Sequence, residues 1–233
     1  AANVMAGTLF KLSPLFPAQE SLGARFANMA GWRIPEAYSD SQTEKRIAGE
    51  AVVLVDETSN GKLTVEGEDA VSVLKDLLQV GPTGIGEGVA ISEGVVYRLR
   101  SDHYFISTSP GMDSDISKKL EDPGPQSVTV TNMTHGWSEI RILGAVSTEL
   151  MAKVCGLDFR EDVFPVGTAR QTSVAKTNQL VLRSKLGGLP SFSLLGARSL
   201  AAYLWDVLLE AGEEWGAVPA GSRVVMELGN GND

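Results

Sequence analysis

Thiol and imidazole groups are nearly absent from this chain: its 233 residues include one cysteine, Cys155, and two histidines, His103 and His135. No intrachain disulfide can form, and a cysteine-based zinc cage or a histidine cluster has too few ligands, so no metal site is expected. Basic charge is also short, with 20 Lys and Arg against 29 Asp and Glu and a formal net charge of −9. Attraction to the phosphate backbone supplies most nucleic-acid affinity, so without a basic cluster that class of partner is excluded. Apolar runs stay far below the roughly 20 residues needed to cross a bilayer, the longest extending from Leu200 to Trp205. No charged-then-apolar leader opens the sequence, which reads as a cytoplasmic protein without a membrane segment. A glycine-rich phosphate cradle opening a helix is missing as well.

What remains is an ordinary globular composition, 43% hydrophobic and 21% charged, sufficient for a packed core. Within it lies a duplication. Thr58–Gly67, then Glu68–Leu74, has the same order of features as His135–Gly144, then Ala145–Met151; Gly67 and Gly144 are 77 residues apart. Each copy reads as an alternating strand, a glycine turn and a helix with apolar residues three and four apart. Hairpin-like pairs follow: Val95–Leu99 with His103–Ser107, and Leu180–Arg183 with Ser191–Leu195. A closing helix ends each unit, one around Ser114–Leu120, the other over Ala197–Ala211 with Leu200, Tyr203, Leu204, Val207 and Leu208 on one face and Gly212 as the cap. The pattern predicts an α+β fold of two strand-helix-strand-strand-helix units with mainly antiparallel sheet and a ligand cleft between the halves. Residues 1–50 are expected to form an arm packing on the first unit, 51–121 the first unit and 127–229 the second, with Glu121–Gln126 as a turn-rich connector.

Gly31-Trp32-Arg33-Ile34-Pro35-Glu36-Ala37-Tyr38 resembles the Gly-Trp-x-x-Pro-x-x-Tyr stretch of the glycine cleavage T-protein (aminomethyltransferase) family. Glu44 stands where that family's Glu-His pair begins, and Val55-Asp56-Glu57-Thr58 with Gly61-Lys62 and Val65-Glu66-Gly67 resembles its Phe-Asp-x-Ser…Gly-Lys…Val-x-Gly run. Ile91–Arg98 lies over Ile-Asp-Asp-Leu-x-Val-Tyr-Arg, and Arg183–Leu194 over Arg-Thr-Gly-Tyr-Thr-Gly-Glu-Asp-Gly-Phe-Glu-Ile. The second half is also similar to the γ subunit of heterotetrameric sarcosine oxidase, through Thr134–Trp137, Cys155–Asp158, Phe164–Gly167 and Arg198–Trp205. The resemblance implies the folate-binding body of a T-protein without its C-terminal β-barrel.

It also implies roles for particular residues. In the T-proteins a carboxylate of the paired-Asp motif lies near the reactive nitrogen of tetrahydrofolate; the frame puts Ser92 on the first Asp and Glu93 on the second, making Glu93 the candidate catalytic acid, one methylene longer. Tyr97, Arg183 and Glu227 fall on the family's cofactor-contacting tyrosine, motif-opening arginine and last-motif acid. Leu189 stands where the family places the glutamate that accepts from the pterin ring, and an apolar side chain there leaves buried donors unpaired at about 1–3 kcal/mol each. By residue type, Trp32 and Trp137 are candidate pocket aromatics, with core packing as the competing role. Cys155 reads as a small buried apolar residue and His103 as a hairpin residue.

Two functions follow from the resemblance. One is a tetrahydrofolate-dependent aminomethyltransferase that handles a one-carbon unit from an amine. The other is a non-catalytic folate-binding subunit or module of a sarcosine-oxidase-like complex. The implied partners are a folate, an amine substrate, and other subunits of an oxidase or of a glycine cleavage complex. A folate-superfamily protein serving iron–sulfur assembly is disfavoured, because that group's Lys-Gly-Cys-Tyr-x-Gly-Gln motif is missing around Lys153–Gly156.

Overall fold

A computed structural model describes residues 9–81, 83–120 and 127–230. The arm contains β1 (Lys11–Leu12), α1 (Phe16–Ser21), β2 (Arg25–Met29), β3 (Trp32–Ala37) and α2 (Ser41–Glu50), the last capped by Asp40, whose side chain accepts from Thr43 N. The first unit runs β4 (Val53–Asp56), β5 (Gly61–Glu66), α3 (Ala70–Leu78), β6 (Gly88–Ile91), β7 (Gly94–Arg100), β8 (His103–Thr108) and α4 (Asp113–Leu120). The second repeats that order as β9 (Thr129–Asn132), β10 (Trp137–Leu143), α5 (Ser147–Val154), β11 (Thr168–Val174), β12 (Thr177–Leu186), β13 (Leu189–Ala197) and α6 (Ala201–Gly212). It then adds β14 (Val218–Ala220) and α7 (Ser222–Gly229). The proposed connector Glu121–Gln126 lies outside the described residues.

The two units exchange their first strands. One sheet has the order β6-β7-β8-β5-β9 and the other β11-β12-β13-β10-β4, extended by β14 parallel to β4. Thus β4 pairs antiparallel with β10, and β9 with β5. The turn glycines explain how the exchange fits. Gly67 and Gly144 have φ of +141° and +145°, and a Cβ on them would lie 2.1 Å from Ser127 O and 2.4 Å from Ala51 O. In each copy, then, a glycine lets the helix-entry turn touch the backbone just ahead of the exchanged strand.

Strand alternation sorts the side chains into layers. Leu63 and Val65 of β5 pack under α3 and α4 with Val73, Leu74, Ile116 and Leu120. Ile140 and Ile142 of β10 pack under α5 and α6 with Leu150, Met151, Leu204, Trp205 and Leu208. The opposite faces of the sheets meet through Tyr97, Phe105, Ala169, Leu180, Leu182 and Leu195. Helices therefore cover the outer faces of two stacked sheets. None of the helices among the described residues is long and apolar enough to cross a membrane.

Two sequence expectations shift. The last repeat helix buries Ala201, Leu204, Trp205 and Leu208, whereas Leu200 and Tyr203 are exposed and Gly216, at φ +70°, is the left-handed cap rather than Gly212. Gly212 stays inside the helix, where a Cβ would lie 2.5 Å from Ala217 Cβ. The arm, expected on the first unit, largely contacts the second. Leu15 joins the α5–α6 core, Trp32 stacks on His135 at 5.4 Å, and Glu44 accepts from Gly221 N at 3.0 Å. Strand exchange is the reason: β4 follows the arm directly and lies in the second sheet, carrying the arm with it.

Candidate functional site

The inner faces of β5 and β10 put charge into the middle of the molecule. Lys62 and Glu139, one repeat apart in sequence, are 0% and 1% exposed, with Nζ 3.4 Å from Oε2. Their backbones are bound in matching fashion, Lys62 N donating to Thr134 Oγ1 at 3.0 Å and Glu139 N to Thr58 Oγ1 at 3.2 Å. The Lys62 ammonium also donates to Thr58 O and Asn60 O, at 3.2 and 2.8 Å, and so fixes the loop between β4 and β5. A buried ammonium needs such partners.

That loop carries a second pair. Arg141 donates from Nε to Glu57 Oε2 and from Nη1 to Ser191 Oγ, both at 2.7 Å. Burial raises the Glu57 carboxyl above its ordinary value; Arg141 opposes the shift and Glu139 adds to it. Burial alone would lower the Arg141 guanidinium, but Glu57 and Glu139 outweigh it and keep it charged. Next to Glu57, Asp56 accepts from Thr58 N at 3.0 Å and from the Gln19 amide. Asp56 and Glu57 open on a cavity of about 420 Å³. Ser107–Pro110 at the end of β8, Gly94 and Val95 at the start of β7, Met29 and Ile34 of the arm, and Val225 and Met226 of α7 are among its other walls. Apolar walls around a few polar groups suit a flat ring with hydrogen-bonding edges, and the volume suits a small-molecule site.

The candidate residues named from sequence do not come together there. Glu93 sits in the β6–β7 turn, bound by Lys119 and Ser92, and lines a different depression with Leu77 and Gln79. The Lys119 and Ser92 hydrogen bonds hold its carboxyl below the ordinary glutamate value. Tyr97 is 6% exposed between the sheets, where burial pushes its phenol up to about 12. Arg183 is buried, donating from Nη1 to Phe159 O and Phe164 O at 2.6 Å each, with its guanidinium over the Phe192 ring. Glu227 is on α7, paired with Lys45 at 2.6 Å and accepting from Ser41 Oγ at 2.6 Å. Leu189 packs with Leu186, Val225 and Leu228 in the apolar cluster beneath α7. Trp32 is buried, Trp137 lines a separate cavity, and Cys155 is buried with Sγ 3.9 Å from Thr172 Oγ1. His103 faces Glu66 across the β5–β8 ladder.

Sequence reasoning passed over Glu57, Glu139 and Arg141. A signal was present: charged residues stand on the inner alternation of two otherwise apolar central strands, and two of them, Lys62 and Glu139, share a repeat position.

These features define a duplicated, strand-exchanged α+β body with a small-molecule cavity beside a buried charge network. The chain belongs to the GCVT N-terminal domain family, whose model matches residues 15–229. It is 27% identical over 226 residues to an aminomethyltransferase of Lysinibacillus sphaericus and 25% identical over 224 residues to one of a Thermoanaerobacter species. Each match covers 91% of this chain and 61% of the relative, so the chain spans about three fifths of the length of these proteins. Among solved structures, the glycine cleavage system aminomethyltransferase T of Bartonella henselae superposes with a TM-score of 0.83 at 20% identity, covering 94% of this chain and 62% of that one. A chain of the heterotetrameric sarcosine oxidase of Corynebacterium sp. U-96 superposes with a TM-score of 0.62 at 21% identity, covering 76% and 93%.

Proposed function

We propose that this chain uses the aminomethyltransferase body to bind a tetrahydrofolate-class ligand in the Asp56–Glu57 cavity, without transferring a one-carbon unit by itself. In this reading it serves as a subunit or module of a larger, sarcosine-oxidase-like assembly. The observation that carries the proposal is Glu93. A residue that moves a proton works best with a pKa near the working pH and must reach the reacting nitrogen. Glu93 is held below its ordinary value by Lys119 and Ser92, and its neighbours Gly94 and Val95, not Glu93 itself, line the cavity. Leu189 packs into an apolar cluster where the resemblance would require a pterin acceptor, so in this reading the donors of the ligand meet Asp56 and Glu57 instead.

One observation favours the transferase reading. Glu57, raised by burial, lines the cavity and is able to exchange a proton with an amine there. Single-turnover assays with tetrahydrofolate and an aminomethyl or formaldehyde donor separate the readings, with affinity measured on the same sample. Binding without transfer is the expected result. Transfer abolished by Glu57→Gln would establish the second reading, and transfer abolished by Glu93→Gln would overturn the argument from Glu93.

A further inference from the structure

We propose that Arg141 is a positioning residue for the Asp56–Glu57 cavity, holding Glu57 so that one carboxylate oxygen stays free to accept an N–H of the ligand. The inference rests on the reading of that cavity as a ligand site and names what orients its acceptor. Strand register puts the groups concerned on one face. Arg141 of β10 pairs with Val55 of β4 and Ser193 of β13, and so points away from the side on which Ile140 and Ile142 pack under α5 and α6. Ser184 and Ser191, opposite each other in β12 and β13, alternate onto the same inner face. Arg141 Nη1 donates to Ser191 Oγ at 2.7 Å and to Ser184 Oγ at 3.4 Å, which leaves Nε for Glu57 Oε2 at 2.7 Å. Glu57 continues the alternation of Val55, and its N donates to Glu139 O at 2.9 Å, so β10 holds it by backbone and side chain.

One oxygen of Glu57 is then engaged by the protein and the other is not. No hydrogen bond from the described residues reaches Oε1, and it is not one of the solvent-inaccessible unpaired atoms, so it opens on the cavity that Glu57 lines. An ionised carboxylate only accepts hydrogen bonds, whereas a protonated one accepts more weakly and carries a donor of its own. The charge on Glu57 therefore matters. Burial raises its carboxyl above the ordinary value and Glu139 adds to the shift, while Arg141, through its charge and its hydrogen bond, and Lys62 oppose it. Burial works against the Arg141 charge, and Glu57 and Glu139 retain it. Arg141 is thus the group that both aims Glu57 and keeps it ionised. Among the described residues no Lys, Arg or His lines the cavity, so no cation there could take over the role.

Titration calorimetry with tetrahydrofolate across pH, on the full chain and on three variants, tests the inference. Glu57→Gln should weaken binding by about tenfold, and Arg141→Gln by a similar factor. The double variant Arg141→Gln/Glu57→Gln, which strands no charge, should bind no more weakly than Glu57→Gln, because Arg141 acts through Glu57. As the solution is acidified, Arg141→Gln should lose binding at a higher pH than the wild type, since Glu57 then protonates sooner; a merely structural role would weaken binding equally at every pH. A further loss in the double variant, or the same pH dependence in Arg141→Gln as in the wild type, would overturn the proposal. If Arg141→Gln does not fold, Ser191→Ala, which loosens the guanidinium and leaves every charge in place, should shift the pH dependence in the same direction, and no shift overturns the proposal. Absence of binding by the wild type would remove the folate reading alone, and carboxyl NMR without ligand then decides. A Glu57 titration that moves upward in Ser191→Ala supports the positioning role, and an unmoved one refutes it.

Discussion

Replacing Lys62 with methionine tests how the two halves are held together. The ammonium and the Glu139 carboxylate are 3.4 Å apart and at most 1% exposed. At an effective dielectric of about 20, that separation corresponds to about 5 kcal/mol of attraction, against which stands the cost of removing both charges from water. The pair therefore contributes little net stability, but breaking it leaves Glu139 charged and unpaired, at about 3–5 kcal/mol. Thr58 O and Asn60 O also lose their donor. Lys62→Met should thus remove a large share of the 5–15 kcal/mol typical of a folded domain. The double variant Lys62→Met/Glu139→Leu, free of the stranded carboxylate, should recover at least half of the loss. Urea denaturation of the three proteins measures both quantities, with the midpoint reporting stability and the slope confirming that the unfolding reaction is the same. A single variant within about 1 kcal/mol of the parent, or a double variant less stable than the single, would refute the reasoning.

Three further outcomes are expected. Gly67→Ala and Gly144→Ala place a Cβ 2.1 and 2.4 Å from the carbonyl oxygens of Ser127 and Ala51 at φ above +140°, so each should cost at least about 2 kcal/mol in the same denaturation assay, where exposed glycines tolerate alanine. Glu93, depressed by its hydrogen bonds with Lys119 and Ser92, contributes stability that is present above pH about 4.5 and is lost as pH falls through its folded pKa; carboxyl NMR should show its titration below 4.5 and its return upward in Lys119→Ala. Arg183→Met unpairs Phe159 O and Phe164 O and removes the cation from the Phe192 face, so it should lower stability by about 2–4 kcal/mol without altering tetrahydrofolate affinity.

Much of the fold is legible in the residues because local and repeated signals agree. The alternation in Leu63–Val65 and Ile140–Ile142, and glycines at both turns, specify the same strand-turn-helix twice. Strand exchange is not legible in this way. Val53–Val55 is apolar on both faces and would be buried in either sheet; its pairing with β10 and the contact of Gly144 with Ala51 O, formed at long sequence separation, show which one it joins. The arm's position depends on that choice and shifts with it. At the proposed site, residues next to Glu93 and Glu227 line the cavity, yet side-chain direction is decided by partners. Lys119 draws Glu93 to the outer face, and Lys45 with Ser41 holds Glu227 against α2. The motif implies a ligand-contacting role for Arg183, while its guanidinium is occupied by two carbonyls and a ring.

The central claim is that the Asp56–Glu57 cavity retains ligand binding in a chain whose Glu93 is turned away from it. Titration calorimetry with tetrahydrofolate, on the wild-type chain and on Ser109→Trp, tests this directly, because an indole at the exposed Ser109 position fills the cavity mouth without disturbing the buried charges. The account predicts a saturable heat of binding in the wild type, reduced by at least about tenfold in affinity in the variant at unchanged Tm. No heat in the wild type, or equal binding by Ser109→Trp, would contradict it.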